Sequence, residues 1–338
     1  MSAMDKVDLD RLLSPAARRT PEMNGLWEWI VAQDSMDPDY GRVLDAQASR
    51  AMMRRLAMRW NKDLPAMASI ERFSVPGLGD APKILVEMAT PIDAKPGCIV
   101  HLHGGGWAHG DLDTHQRSRL LLAQETGTRV LGVDYRMAPE HPFPKPLEDT
   151  QAAWRWVVQQ AQVQPGLNGP LAVAGDSAGA NLAAACLLRE LQLGRPAPQT
   201  ALLFYGRYGA DFDTPSYLRF AEGFGLTREV MMRFFDWYVP ETGPESARFD
   251  PVVSPIHASE ALLARLPPLY LNAASLDVLL CDTLAFAQKL DTVGVPYELN
   301  VHEGVHHGFM QFSAYLEESR RAYQLAALYF ERTMRAKV

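Results

Sequence analysis

Three cysteines in 338 residues are too few to staple a fold, and Cys98, Cys186 and Cys281 form no CxxC pair. That sets aside a disulfide framework and a zinc ribbon, and the thiols read as small buried side chains in a reducing compartment. No apolar run approaches the ~18 residues of a membrane span. The opening stretch "MSAMDKVDLDRLLSPAARR" carries charge throughout and lacks the apolar core of a secretory signal. Positive charge is not in excess. There are 33 Lys and Arg against 40 Asp and Glu, a net charge of −7, so no broad basic footprint for nucleic acid is expected. Internal repeats and low-complexity tracts are also missing. These absences leave a cytoplasmic globular protein with neither a membrane nor a nucleic acid as partner. The remainder is ordinary, 47% hydrophobic and 22% charged, and long enough to bury a core without disulfides or metals.

Hydrophobic spacing gives the order of elements. Residues 1–60 read as helical, with "GLWEWIVAQ" and "RVLDAQASRAMMRRLAMRW" as the strongest pieces. Two strand candidates, "IERFSV" and "KILVEMAT", follow. Short strand candidates then recur at 97–103, 129–135, 170–175, 200–206, 268–274 and 297–303, the first two of them apolar runs. Helical patterns fall at 150–162, 178–193, 282–294 and about 314–334. Strands apolar on both faces, alternating with helices, predict an α/β fold with a mostly parallel central sheet and helices on both faces. Residues 207–250 break the alternation. They are rich in aromatics and charge, with helical pieces and no strand, and read as an insertion over the strand ends. Its aromatic stripe is either plain core or the wall of an apolar substrate pocket.

In such sheets, sites form beyond the carboxyl ends of strands. There, between strand 170–175 and helix 178–193, lies Gly175-Asp176-Ser177-Ala178-Gly179. Gly-x-Ser-x-Gly at a strand–turn–helix corner is the pattern of a nucleophile elbow. The turn needs strained angles and close approach of its flanks, which glycine permits. The helix N-terminus offers free N–H groups to a developing oxyanion. A serine is a weak nucleophile at its own pKa, so a base is required. Strand 97–103 ends in His103-Gly104-Gly105-Gly106. Three glycines let backbone N–H groups turn into the site, with Gly105 and Gly106 the preferred donors beside Ala178, and Gly104 also in the set. His103 is read as holding this loop by a hydrogen bond rather than as the base. His101 and His103 make a His-x-His pair, but no ligand cluster follows, so neither metal nor organic cofactor is expected. The order Ser, then Asp, then His selects Asp277 after strand 268–274 and His307 after the last strand. Asp277 would orient the imidazole, and His307 would act as base and then acid. Asp282 is the rival carboxylate, although it suits the N-cap of a helix over 283–294. His306 is the rival base, and His302 still lies within its strand. Asp134, Tyr135, Arg136 and Glu140, in a proline-dense stretch, are expected to form a polar network beside the site.

Together, "HGGGW", "YRMAPEHPFPKPLED", "GDSAGAN", "DPVVSP", "LPPLYLNAASLDVLLCD" and "HHGF" resemble, in that order, the hormone-sensitive-lipase family of α/β-hydrolases. The resemblance runs from about residue 80 to the C-terminus, and "FYGRYG" is similar to the bacterial acetyl esterases of the family. It implies an α/β-hydrolase fold with a helical cap: an N-terminal cap segment over 1–60, core over 61–206 and 251–338, and a cap insertion over 207–250. It implies Ser177, Asp277 and His307 as catalytic triad, an oxyanion hole from the HGGG glycines and Ala178, with His103 and Asp176 in support, and hydrolysis of short-chain, acetyl-like carboxylic esters. A lactonase, an amidase, a transacylase or a non-enzymatic ligand-binding member are the alternatives, and a homodimer is compatible with the sequence. Two positions depart from the family pattern. Cys281 stands where a second acidic residue is usual after Asp277, with Asp282 available to compensate. Tyr205-Gly206 replaces Tyr-Pro, which is expected to reshape the acyl side of the pocket.

Overall fold

A computed structural model describes residues 7–40, 44–240 and 245–335. The outer ends of the 1–60 and 251–338 segments, and parts of 1–60 and 207–250 at 41–43 and 241–244, lie outside the described residues. In chain order the elements are α1 (Leu9–Leu12), α2 (Pro21–Asp34), α3 (Ala46–Ala57), β1 (Met67–Val75), β2 (Ile84–Pro91), β3 (Lys95–Leu102), α4 (Gln116–Thr126), β4 (Thr128–Val133), α5 (Lys145–Gln160), β5 (Leu171–Asp176), α6 (Ala178–Gln192) and β6 (Ala201–Phe204). The chain continues through α7 (Pro215–Arg219), α8 (Arg228–Tyr238), α9 (Glu260–Leu263), β7 (Leu269–Leu276), α10 (Leu280–Val293), β8 (Tyr297–His306) and α11 (Glu317–Arg335).

The eight strands form one sheet in the order β1-β2-β4-β3-β5-β6-β7-β8. β2 is antiparallel to both β1 and β4, and the remaining neighbours are parallel. Successive strand residues point to opposite faces, and from β2 to β7 both faces are buried, whereas the edge strands β1 and β8 are partly exposed. Within β3, Cys98, Val100 and Leu102 enter one core layer and Ile99 the other; within β5, Val173 faces away from Ala172 and Ala174. α5, α6 and α10 cover the first layer through Trp154, Leu187 and Leu284. α4 and α11 cover the second through Leu120, Ala322 and Phe330. The fold is that of an α/β-hydrolase. Among the described residues no helix is long and apolar enough to cross a membrane.

Two departures from the sequence reading have physical causes. α4 falls in a stretch given no helix, because its buried residues include Arg117, Ser118, Arg119 and Thr126. Polar side chains on the inward face erase the apolar period. Arg119 is tolerated there because Glu87 of β2, equally buried, accepts from its guanidinium. β8 runs on to His306 instead of ending at 303. It is paired at His302 with Ala274 and at His306 with Leu276, so four residues advance against two. A bulge of this kind re-aims the strand. Gly304, at φ +69°, sits inside it and donates its N–H to Ser275 Oγ at 2.9 Å.

Candidate active site

The corner after β5 is strained at the serine and crowded at its glycines. Ser177 has φ +56° and ψ −118°, a region that costs a non-glycine residue of order 1–3 kcal/mol. Its N–H donates to Phe204 O at 2.9 Å, which fixes the turn against β6. The flanking glycines answer to close approach and not to positive φ. A Cβ on Gly175 would lie 2.4 Å from the carbonyl carbon of Gly179, and one on Gly179 would lie 2.0 Å from the carbonyl oxygen of Leu102. Helix α6 therefore starts hard against the end of β3, and the serine side chain stands clear.

The structure brings Ser177, His307 and Asp277 together. The Ser177 hydroxyl lies 2.8 Å from His307 Nε2 and donates to it. His307 Nδ1 donates to Asp277 Oδ2 at 2.7 Å. Asp277 is 1% exposed, and its other oxygen accepts the N–H of Leu279 at 3.0 Å. The ring of Tyr205 meets the imidazole edge-on at 5.1 Å. This chain can move a proton from the serine to the imidazole while a buried carboxylate holds the ring. The rival histidines are turned elsewhere. His302 Nδ1 hydrogen-bonds Glu318 at 2.6 Å. His306 Nδ1 donates to His307 O at 3.2 Å, and its ring packs edge-on against Trp27.

The glycine loop follows β3. Gly105 (φ +119°) and Gly106 (φ +61°) take angles that suit glycine. Their N–H groups and that of Ala178 have no acceptor among the described residues. Gly104 must be taken out of that set: its N–H donates to Asp176 Oδ1 at 3.0 Å and is not free for an oxyanion. His103 is bonded into the loop. Its Nδ1 donates to Gly104 O at 2.8 Å, its carbonyl accepts from the Tyr135 hydroxyl at 2.8 Å, and its ring stacks on Tyr135 at 4.3 Å. Burial drives its pKa down to about 4, and that of His101 to about 3. Burial pushes the Asp176 carboxyl up, but His115, with Oδ2 3.7 Å away, and then His101 and His103 outweigh it and bring the group to about 2.

A cavity of about 420 Å³ opens above these groups, with Ser177, Gly105, Gly106 and His307 in its lining. Trp27 and Ile30 of α2, Met52 and Leu56 of α3, and Val230 and Phe234 of α8 supply apolar walls. The aromatic insertion thus serves both expected ends: Phe234 lines the cavity, whereas Tyr217, Phe235 and Tyr238 are core. A Cβ on Gly106 would lie 2.1 Å from the Phe234 ring, so α8 rests directly on the glycine loop. A polar cleft of about 490 Å³ at the outer side of β8, crossed by the Arg11–Glu303 pair, contains none of these residues.

Other expectations need correction. Asp282 is not an N-cap: it lies within the first turn of α10, buried, and accepts the N–H groups of Tyr208 (2.9 Å) and Gly209 (2.8 Å). Asp134, Tyr135, Arg136 and Glu140 do not share one network. Arg136 pairs with Asp149 at 2.7 Å, Glu140 with Arg50 of α3 at 2.5 Å, and Tyr135 with His103. Cys98 and Cys186 are buried, but Cys281 is only partly so. Tyr205 and Gly206 lie outside the cavity lining. Tyr205 backs His307, and Gly206 makes room for the Tyr208 hydroxyl, 2.3 Å from where a Cβ would be. Sequence reasoning missed Arg207, fully buried with its guanidinium carbon 3.8 Å from the Phe235 ring centre. It also missed His109 and Arg233, both in the cavity lining. His109 stands three residues beyond the glycine triplet, where the motif alone gave a cue.

A family profile described as the alpha/beta hydrolase fold matches residues 99–311. The chain is 33% identical over 298 residues to carboxylesterase NlhH of Mycobacterium tuberculosis, covering 85% of this chain and 92% of that protein. An ethyl acetate hydrolase of Pseudomonas putida is 36% identical over 224 residues, 65% of this chain and 68% of that protein. The crystal structure of a thermostable esterase from Pseudomonas putida matches with a TM-score of 0.85 at 28% identity, over 95% of this chain and 99% of that one. With the sheet order, the serine corner and the glycine loop already in hand, these likenesses settle the family: the chain belongs to the hormone-sensitive-lipase family of α/β-hydrolases.

Proposed function

We propose that this esterase works through an acyl-enzyme on Ser177 and takes carboxylic esters of short acyl chains. The observation that carries the mechanism is the unbroken relay from Ser177 Oγ through His307 to the buried Asp277. Ser177 Oγ attacks the ester carbonyl carbon as His307 Nε2 takes its proton. The carbonyl oxygen becomes an oxyanion facing the N–H groups of Gly105, Gly106 and Ala178, and each such donor is worth about 3–4 kcal/mol in related chemistry. The C–O bond to the alcohol breaks, and His307 returns the proton to the leaving oxygen. A water molecule then gives a proton to His307 and its oxygen to the acyl carbon; the bond from that carbon to Ser177 Oγ breaks, His307 returns the proton to Oγ, and the acid leaves. Asp277 keeps Nδ1 protonated throughout and offsets the imidazolium charge.

The short-acyl preference is supported by the naming of the Pseudomonas putida relative as an ethyl acetate hydrolase. A cytoplasmic setting belongs to the same reading and rests on the three unpaired cysteines. The test is Ser177→Ala with a panel of 4-nitrophenyl acetate, butyrate and octanoate, a lactone and an anilide. Hydrolysis is expected to fall by about 10⁵–10⁶-fold while near-ultraviolet circular dichroism is unchanged. Turnover like that of the wild type overturns the nucleophile. Faster cleavage of octanoate than of acetate by the wild type overturns the acyl preference.

A further inference from the structure

The cavity over Ser177 is lined by a cation that, among the described residues, no carboxylate neutralises. Arg233 leaves α8 between Met231 and Phe234, which line the same wall. Its Nε is buried without an acceptor. Its guanidinium carbon lies 5.8 Å from the Trp237 ring centre. The neighbouring arginines are paired: Arg50 with Glu140, Arg54 with Asp111 and Asp113, and Arg59 with Asp34. Asp34 also lines the cavity, but Arg59 already holds it. Asp176, the other lining carboxylate, accepts from Gly104 and faces His115. The acids of the cavity have their own partners, and among the described residues no carboxylate pairs with Arg233.

His109 is a second unpartnered group in the same wall. It is 5% exposed, its Nε2 has no hydrogen-bond partner, and its ring meets Phe234 edge-on at 4.9 Å. Its pKa is pushed down to about 4, by burial first and then by the cations of Arg50 and Arg233. It is uncharged near neutrality and has an N–H to give. A half-buried guanidinium has lost part of its water without gaining an anion, and a carboxylate restores that loss through a two-pronged, charge-assisted pair. The surrounding side chains are apolar and suit a hydrocarbon body. The protein's net charge of −7 repels anions at long range, so a local cation is what an anionic ester would need.

We infer that Arg233 makes the site select esters carrying a carboxylate remote from the bond that is cut, such as half-esters of dicarboxylic acids. This rests on Ser177 being the nucleophile above which the cavity opens. The carboxylate belongs either to the acyl part or to the alcohol part, and two matched pairs of esters separate these. On the acyl side, 4-nitrophenyl hemiglutarate is compared with 4-nitrophenyl hexanoate. On the alcohol side, 4-acetoxybenzoate is compared with its methyl ester.

Each pair is measured with the wild type, Arg233→Met and Arg233→Lys, with thermal unfolding as the control for folding. In one of the pairs the anionic-to-neutral ratio of kcat/KM is expected to fall by about tenfold or more in Arg233→Met. The change should lie mainly in KM, and Arg233→Lys, which keeps the charge but loses the planar fork, should recover part of it. A ratio that shifts by less than about twofold in both pairs overturns the inference. So does a wild type that prefers the neutral ester by more than about tenfold in both. A wild type inert to all four esters refutes the esterase mechanism itself, whereas hydrolysis of the neutral esters with a ratio indifferent to Arg233 refutes only this selection.

Discussion

Replacing Asp277 with Asn removes one charge and keeps the shape, and the surroundings dictate how the new amide must sit. In the native protein Oδ1 accepts the Leu279 N–H at 3.0 Å, and Oδ2 accepts His307 Nδ1–H at 2.7 Å. The Leu279 N–H still needs an acceptor in the variant, so the amide oxygen takes that side. The NH₂ then faces His307 Nδ1 and can only donate. The imidazole must place its single proton on Nε2, and that N–H points at Ser177 Oγ, 2.8 Å away. In this tautomer the ring cannot accept the serine proton. Forcing the other tautomer sets two N–H groups against each other and loses a charge-assisted bond of about 1.5–3 kcal/mol. The buried carboxylate that offsets the imidazolium is gone as well. The same substitution in a serine protease lowers kcat about 10⁴-fold, or about 5–6 kcal/mol at about 1.4 kcal/mol per decade. A loss of that order is expected here, in kcat and with little change in KM, because the substrate does not reach Asp277. Stopped-flow hydrolysis of 4-nitrophenyl acetate near neutral pH measures it, with near-ultraviolet circular dichroism to show an intact fold. A folded variant within about tenfold of the wild type refutes the tautomer argument.

Asp282→Ala leaves the N–H groups of Tyr208 and Gly209 buried without an acceptor; at about 1–3 kcal/mol each, urea unfolding should register a loss of about 2–6 kcal/mol, and a loss under about 1 kcal/mol would contradict that role. Four buried imidazoles, His101 at about 3 and His103, His109 and His306 at about 4, are held below the ordinary histidine value mainly by burial. As pH falls below about 6.5 the unfolded chain takes up their protons and the folded chain does not. Their contribution to stability is therefore complete above about pH 6.5 and drains away as pH falls toward 4 and 3. Urea midpoints should decline steadily from pH 7 to pH 5, with His101→Gln reducing the slope by up to about one proton; a flat profile over that range refutes the sign.

The sequence carried the strands well because their signals are local. Each strand candidate from 97 to 303 became a strand within a few residues of its expected span, and those of β3 to β7 were plainest, since strands buried on both faces need no partner information to be apolar throughout. The site residues were legible for a related reason, as each follows such a run. α4 was illegible because Arg119 is buried against Glu87, two charges brought together from β2 and α4 that no periodic pattern reports. Asp282 misled because an acidic residue near a helix start suits a cap, while its true acceptor duty is to a loop more than seventy residues earlier.

From the sequence alone came the order of the strands, the serine between two glycines, the glycine loop, and a short list of acids and imidazoles after later strands. The reason is that these depend on chain-local geometry: period, turn strain and the absence of a Cβ. Tertiary structure decided which candidates meet. Among His302, His306 and His307, the bulge at Gly304 re-aims the end of β8 so that His307 reaches Ser177. Pairing of β3 with β5 decided that Gly104 serves Asp176. Packing of α8 on the glycine loop decided that Phe234 and Arg233 overlook the site. Those outcomes depend on side-chain direction and on neighbours distant in sequence, and both are fixed only when the sheet is assembled.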